Sequence, residues 1–193
     1  MAACVGLLLA AGSASRFGSD KLLHLLPTGE PIAVAAARHL LAAVPQCIAV
    51  VRILAHPLAE KLREAGARVV ECAEAEEGMG VSLACAVRAA GPGRSFLVAL
   101  ADMPFLRPST ITAVHEAMDA GALLAAPYFR ARRGHPVGIA AAFYSELVAL
   151  RGDAGARAVL EAHVADLRKI PCGDPGAIRD IDTPGDLLPP IVV

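Results

Sequence analysis

Aromatic residues are scarce in this sequence of 193 residues: it has no Trp, two Tyr and five Phe. The core therefore has to be built from Ala, Val, Leu and Ile, which the 55% hydrophobic content allows. A content this high excludes an intrinsically disordered chain. Because the length is close to that of one ordinary domain, we expect a single domain over residues 1–193.

The sequence also lacks an excess of charge of either sign. Its 18 basic and 19 acidic side chains give a net charge of −1, so no basic field would attract a nucleic acid. No uncharged apolar run reaches the roughly 18 residues of a membrane span. The apolar start of the chain carries no basic residue before Arg16, whereas a secretory signal peptide would. We therefore expect a cytoplasmic protein with neither a nucleic-acid nor a membrane partner.

Several familiar site patterns are missing as well. The five cysteines are widely spaced and no pair has the C-x-x-C spacing, so we expect all five to be reduced, packed thiols. The glycine-rich loop after the first apolar run has Ala14 and Phe17 where the dinucleotide-binding and P-loop patterns require glycine. The segment 80–84 lacks the second glycine of a serine hydrolase elbow. His115-Glu116 is followed by no second histidine at the zinc spacing.

What the sequence does have is a regular alternation of short apolar runs and helical segments. Strands are predicted at 4–10, 48–54, 68–72, 95–101, 123–127 and 167–170, and helices at 31–44, 57–65, 81–90, 108–120, 142–150, 156–164 and 183–188. We expect Ser109 or Thr110 to lie near the N-cap of its helix. The alternation predicts an α/β fold, with a mostly parallel sheet covered by helices on both faces. Ligands of such folds bind beyond the carboxyl ends of the strands, here in the loops after residues 10, 101, 127 and 170.

The first of these loops has the chemistry of a phosphate site. Small residues around Gly12 allow backbone N–H groups to approach an anion. Arg16 adds a planar charged fork, and Lys21 adds a mobile ammonium. This combination suits a polyphosphate, although a solvated turn with stray charges is the alternative interpretation.

Two later segments place carboxylates at the ends of predicted elements. Asp102 follows the apolar run 95–101 and precedes Pro104, a position suited to Mg²⁺, which takes one or two protein carboxylates. A turn or capping aspartate is the alternative. Asp182 precedes Thr183-Pro184 and would also serve as a helix N-cap.

Together these motifs resemble the MobA-like nucleotidyltransferases, whose opening pattern is L-x-(A/G)-G-x-S-x-R-x-G-x-x-K. The chain meets this pattern with Gly12, Arg16, Gly18 and Lys21, and Ser15 lies one position after the serine of the pattern, where the chain has Ala14. Within that superfamily it looks most like the molybdenum cofactor cytidylyltransferases, through the segments 78–83, 101–104, 134–137, 152–157 and 180–184. The resemblance covers about residues 5–188.

The resemblance implies a Rossmann-like three-layer sandwich of the nucleotide-diphospho-sugar transferase type. It implies transfer of CMP from CTP to the terminal phosphate of molybdenum cofactor, release of pyrophosphate, and Mg²⁺ as cofactor. Nucleotide binding is thereby assigned to Leu9, Ala10, Ala11, Gly12, Ser13, Arg16, Lys21, Ser82 and Asp102. The same resemblance assigns catalytic roles to Lys21, Arg16 and Asp102, metal binding to Asp102 and Asp182, and pterin binding to His135. Guanylyl relatives tend to carry Gly-Gly where this chain has Ala11-Gly12, which favours cytidine.

Other interpretations of the same residues stay open. The chain could be a related guanylyltransferase, a nucleotidyltransferase for a sugar or alcohol phosphate, or a non-catalytic molybdopterin-binding chaperone. His135 could anchor a loop, and Asp153 with Arg157 could form an ion pair outside the site. The basic residues Arg130, Arg132 and Arg133 could recruit the anionic pterin or remain a solvated cluster. We also expect transient contact with a recipient molybdoenzyme.

Overall fold

A computed structural model describes residues 3–12 and 20–188 of the chain. In these residues, strands form at β1 (Cys4–Leu9), β2 (Cys47–Val51), β3 (Arg68–Glu71), β4 (Ser95–Leu100), β5 (Leu124–Phe129), β6 (Arg132–Arg133), β7 (Val137–Ile139) and β8 (Leu167–Pro171). The α-helices are α1 (Ile32–Ala43), α2 (Pro57–Glu64), α3 (Met79–Ala90), α4 (Pro108–Asp119), α5 (Tyr144–Val148) and α6 (Arg157–Ala162). Short 3₁₀ turns add Lys21–Leu23, Ala73–Glu77, Ala141–Phe143, Val164–Asp166, Pro175–Ile178 and Pro184–Leu187.

The strands form one mixed sheet in the order β3-β2-β1-β4-β7-β5, with β8 also beside β5 and the short β6 paired to the end of β5. Neighbours are parallel from β3 to β4 and between β5 and β8, whereas β7 runs antiparallel to both β4 and β5. The mostly parallel sheet predicted from the alternation is confirmed. As a result, the carboxyl ends of β1, β2 and β4 lie side by side at one edge.

Helices cover both faces of the sheet, and this explains the unbroken apolar runs of its central strands. Along β1, Leu8 packs on the face that carries α1, α2 and α4, while Leu7 and Leu9 pack on the face that carries α3, α5 and α6. Phe96 of β4 is fully buried on the second face. Strands that are buried on both faces need no polar alternation. Because helices pack on both faces of the sheet, the predicted three-layer architecture is also confirmed.

The start of α4 and the bounds of two predicted helices differ in detail from what the sequence suggests. The N-cap of α4 is Arg107, and neither Ser109 nor Thr110 caps it. Instead the buried carboxylate of Asp174 accepts hydrogen bonds from the Arg107 N–H and the Thr110 hydroxyl, at 2.9 and 2.7 Å. Ser109 and Thr110 therefore lie near the N-cap, as expected, but neither side chain makes a capping hydrogen bond. The predicted helix 142–150 divides into a 3₁₀ turn and α5, and 183–188 forms only a 3₁₀ turn.

The prediction that all five cysteines are reduced is wrong for two of them. Cys72, which follows β3, forms a disulfide with Cys85 of α3, and their Cα atoms are 6.1 Å apart. This separation falls in the range that disulfides require. Cys4, Cys47 and Cys172 are free thiols. The pair escaped detection because a separation of 13 residues matches no motif, and only the packing of α3 against the sheet brings the two residues together.

Candidate functional site

A cleft of about 530 Å³ opens at the carboxyl ends of β1, β2 and β4. Leu9, Ala11 and Gly12 line its floor along and after β1, and Asp102 lines it after β4. Of the loops that the strand-end rule singled out, those after residues 10 and 101 therefore meet here. The loops after residues 127 and 170 border a separate open depression near Tyr128 and Lys169.

One side of the cleft is a cluster of charged side chains, here called the charged wall: Lys21, Asp102 and Asp182. The Lys21 Nζ lies 2.9 Å from Asp102 Oδ2 and 3.7 Å from Asp182 Oδ1. The Ile181 N–H donates to the carbonyl of Asp102 at 2.9 Å, and this bond holds the 180–183 segment beside the end of β4. The Lys21 side chain is only 12% exposed, so the attraction is screened less by water than in a surface pair.

The donor set of the charged wall fits a divalent cation. Two carboxylates from separate segments converge on one position, which the Lys21 ammonium occupies as a positively charged group. Mg²⁺ is commonly held by one or two carboxylates, with waters and substrate phosphates as further ligands. The alternative N-cap role of Asp182 is wrong, because Thr183 is the N-cap of the Pro184–Leu187 turn and shares a capping box with Asp186.

The opposite side of the cleft is made mainly of backbone at the start of α3, and residues 78–82 are here called the glycine wall. Gly78 is the N-cap of α3 and has φ of 127°, which L side chains rarely adopt. The Gly80 N–H donates to the carbonyl of Gly152 at 2.7 Å, and a Cβ at Gly78 or Gly80 would clash with the 151–152 backbone. The N–H groups of Gly78, Gly80 and Ser82 donate to backbone carbonyls, so it is the positive end of the helix dipole that favours an anion here.

Ser82 completes the glycine wall. It lies in the first turn of α3, is 5% exposed, and lines the cleft. Its predicted contact with the nucleoside stays a prediction.

The cleft includes residues that sequence reasoning missed. Arg52, directly after β2, contacts Glu76 of the Ala73–Glu77 turn with 2.5 Å between Nη1 and Oε1. This ion pair lies on the rim, and Met79 and Asp153 also line the cleft. A signal for Arg52 existed, because β2 is also a parallel strand and its carboxyl end should have been inspected with those of β1 and β4. Glu76 and Asp153 had no comparable signal.

His135 lies outside the lining of the cleft but within electrostatic reach of Asp102. Its backbone N–H donates to the carbonyl of Ala177 at 2.8 Å, and its Nδ1 lies 3.4 Å from the carbonyl of Val98. Burial lowers the pKa of the imidazole below its usual value of 6.5 and so favours the neutral form of the ring. These contacts give His135 an anchoring role, whether or not it also touches a substrate.

The other predicted site residues are found in different environments. Ser13 and Arg16 lie outside the described residues. Ala10 is buried, and its N–H donates to the carbonyl of Val50 at 2.9 Å, so it shapes the start of the loop. Arg157 pairs with Glu161 at 2.6 Å, which contradicts the proposed ion pair with Asp153. Arg130 lies over the ring of Phe129, away from the cleft.

A comparison with known protein families shows to which family this chain belongs. Residues 6–167 match the MobA-like NTP transferase domain. The chain belongs to this family. The motif resemblance found in the sequence is thereby confirmed, and the family uses nucleoside triphosphates as substrates.

The proteins that are similar to this chain include one named as an oxidoreductase and one named as a nucleotidyl transferase. The nicotine blue oxidoreductase of Paenarthrobacter nicotinovorans is 31% identical over 191 residues, which cover 93% of each chain. A nucleotidyl transferase from Methanothermobacter has a similar structure, with a TM-score of 0.80, 26% identity, and coverage of 95% of this chain and 94% of that one. A protein of Mycobacterium tuberculosis solved in complex with manganese has a TM-score of 0.73 and 23% identity, with 95% of each chain covered. The likeness to the nucleotidyl transferase confirms the predicted nucleotide-diphospho-sugar transferase type of fold.

No helix among the residues that the structure describes is long and apolar enough to cross a membrane.

Proposed function

We propose that the protein transfers CMP from CTP to the terminal phosphate of the molybdenum cofactor and releases pyrophosphate. The observation that carries this proposal is the cleft, in which a lysine and two carboxylates lie across from the N-terminus of α3. The choice of this acceptor rests on the segments 78–83, 134–137 and 180–184, which resemble those of the cytidylyltransferases.

The reaction requires little covalent participation from the protein. The acceptor phosphate already carries a nucleophilic oxygen, so no serine, cysteine or histidine has to remove a proton. The barrier arises from repulsion between two anionic phosphates and from charge that develops on pyrophosphate. Lys21 and Arg16 would offset this charge, while the positive end of the α3 dipole would help to orient the triphosphate.

Asp102 and Asp182 would hold a divalent cation between them, with Mg²⁺ as the proposed ion. When bound, the ion supplies positive charge to the phosphate oxygens. Asp102 would have to exchange its contact with Lys21 for the cation, and this exchange would release the Lys21 ammonium toward the phosphates. The structure of the mycobacterial protein in complex with manganese supports divalent metal use among proteins of this fold.

The remaining assignments concern selectivity and location. Ala11, in place of the first glycine of the Gly-Gly pair in the guanylyl relatives, favours CTP over GTP. His135 is proposed to contact the pterin, because the sequence resemblance assigns it there and it lies within electrostatic reach of Asp102. We also propose that the protein works in the cytoplasm and passes its product to a recipient molybdoenzyme by transient contact.

A second candidate function is an oxidoreductase, and the 31% identity to the nicotine blue oxidoreductase favours it. Fold alone does not decide between the two, because one fold supports unrelated chemistries. The charged wall supports the first candidate, because two carboxylates around a lysine suit the binding of a divalent cation beside phosphates.

The test is to measure pyrophosphate release with Mg²⁺, molybdenum cofactor and either CTP or GTP. In parallel, the oxidation of reduced nicotinamide dinucleotides is followed with nicotine blue as acceptor. Cofactor-dependent release with CTP alone is the expected result. Release with GTP would transfer the protein to the guanylyl branch, and dinucleotide oxidation without pyrophosphate release would establish the second candidate.

A further inference from the structure

The disulfide between Cys72 and Cys85 encloses the part of the chain that forms one side of the cleft. Cys72 ends the β3 region, and its N–H donates to the carbonyl of Val51 at 2.9 Å. Cys85 lies in the middle of α3. The segment between them contributes Ala75, Glu76, Gly78, Met79 and Ser82 to the lining of the cleft. The disulfide therefore joins the middle of α3 to Cys72, which is itself hydrogen-bonded to the end of β2, and it closes the segment that forms this wall into a loop.

We propose that the Cys72–Cys85 pair is a reversible redox site that controls the order of the glycine wall, with a small dithiol or a dithiol protein as its reductant. In the oxidised protein the start of α3 is held by the disulfide and by the bond from the Gly80 N–H to Gly152. In the reduced protein the covalent tie is lost, and the wall depends on its packing and hydrogen bonds alone. The inference rests on the proposed function only through the nucleotide used in its test.

The two cysteine residues differ in exposure, and we use this difference to assign the direction of the exchange. Cys72 is 1% exposed, whereas Cys85 is partly exposed. A reductant thiolate therefore attacks Cys85 Sγ, the bond to Cys72 breaks, and Cys72 leaves as a thiolate that takes up a proton. The second thiol of the reductant then attacks the mixed disulfide and releases Cys85. The protein gains two electrons and two protons, and the reductant leaves as a disulfide.

The consequence for ligand binding follows from the position of the pair. A ligand that binds across the cleft needs the glycine wall in place, and ordering a loosened wall costs binding free energy. Oxidation should therefore strengthen nucleotide binding by fixing the wall in advance, and reduction should weaken it. Neither cysteine lines the cleft itself, so the effect is one of positioning.

The test compares oxidised and reduced full-length protein, with a chelator present because Cys72, Glu74 and Cys85 form a potential metal-ligating group. Thiol titration with peptide mapping should find three free thiols after oxidation and five after reduction. Reduction should weaken CTP binding, measured by calorimetry, by about tenfold. Hydrogen exchange of residues 73–84 should become faster on reduction.

Variants separate this site from general effects of oxidation. Cys85→Ser should bind CTP as weakly as the reduced wild type does, under both oxidising and reducing conditions. Cys85→Ala repeats the test if the serine variant folds poorly. Cys172→Ser should keep the full response, because Cys172 is a free thiol outside the cleft. The inference would be overturned if the disulfide forms but changes neither the hydrogen exchange of residues 73–84 nor the affinity for CTP. It would also be overturned if Cys72 and Cys85 do not form a disulfide on oxidation. If exchange responds while CTP binds in neither state, the redox site stands and the proposed function fails.

Discussion

One wall of the cleft consists of charged side chains, whereas the other consists mainly of backbone. The charged wall is assembled from Lys21 and two carboxylates, which come from three separate segments of the chain. The glycine wall comes from one continuous segment, and its Gly78 and Gly80 fit against Gly152 because they lack side chains. The difference shows that charge and shape are supplied separately in this cleft, and it predicts that substitutions in the two walls fail in different ways.

The largest expected effect is on the charged wall. Asp102→Asn should retain the fold and reduce turnover about 100-fold or more, because the amide is neutral and binds a cation poorly. Pyrophosphate release measures the effect, and Asp166→Asn, at an exposed position, is the matched control. Near-normal turnover of Asp102→Asn with Mg²⁺ would remove Asp102 from the metal site.

The second effect distinguishes nucleotide binding from metal binding within the same wall. Lys21→Ala should weaken nucleotide binding about 50-fold, as expected for the loss of charged hydrogen bonds. Calorimetric titration with CTP checks this, with the exposed Lys61→Ala as control. If CTP affinity and turnover are both unchanged, Lys21 has no part in the site.

The third effect tests the backbone wall, where stability should change along with binding. Gly78→Ala would combine an unfavourable φ with a clash against Gly152, at a cost of about 2 kcal/mol in the free energy of unfolding. Gly91→Ala is a sharp control, because Gly91 also has positive φ but no atom near its missing Cβ. Equal losses of unfolding free energy in the two variants would show that the close approach to Gly152 contributes nothing.

The smallest effect concerns His135, which lies beyond both walls. Because its pKa is lowered in the folded protein, the unfolded chain takes up a proton first as the pH falls below 6.5. Its contribution to stability is therefore complete above pH 6.5 and is lost as the pH falls toward the folded pKa. Between about pH 7.5 and about pH 5.5, the free energy of unfolding should fall less in His135→Asn than in the wild type. Denaturant unfolding measures this difference, which should be smaller than about 1.4 kcal/mol per pH unit. Parallel pH profiles would contradict this.

Sequence reasoning succeeded where a local pattern determines the structure. The apolar runs of β1 and β4 predicted strands buried on both faces, because such strands need no polar alternation. Lys21 and Asp102 were identified from their loops, and the structure brings them together because the carboxyl ends of β1 and β4 are adjacent. Their roles as catalytic and binding residues stay predictions.

Features created by tertiary contact were out of reach. Asp174 accepts a hydrogen bond from Arg107, the N-cap residue of α4, which is 67 residues away, and no local signal marks this contact. The disulfide depends on how α3 packs against the end of β3. Glu76 belongs to the cleft only because its turn places it beside Arg52. Single-sequence patterns contain no information on such distances, so these contacts had to come from the three-dimensional structure.

A crystal structure of the protein with CTP and Mn²⁺ would test the two-walled cleft as a nucleotide and metal site, because anomalous scattering locates the metal. We predict a metal peak about 2 Å from carboxylate oxygens of Asp102 and Asp182, as expected for a small hard cation. We also predict that the triphosphate lies between Lys21 and the start of α3. A metal bound elsewhere, or a nucleotide outside this cleft, would contradict the proposed division of roles between the two walls.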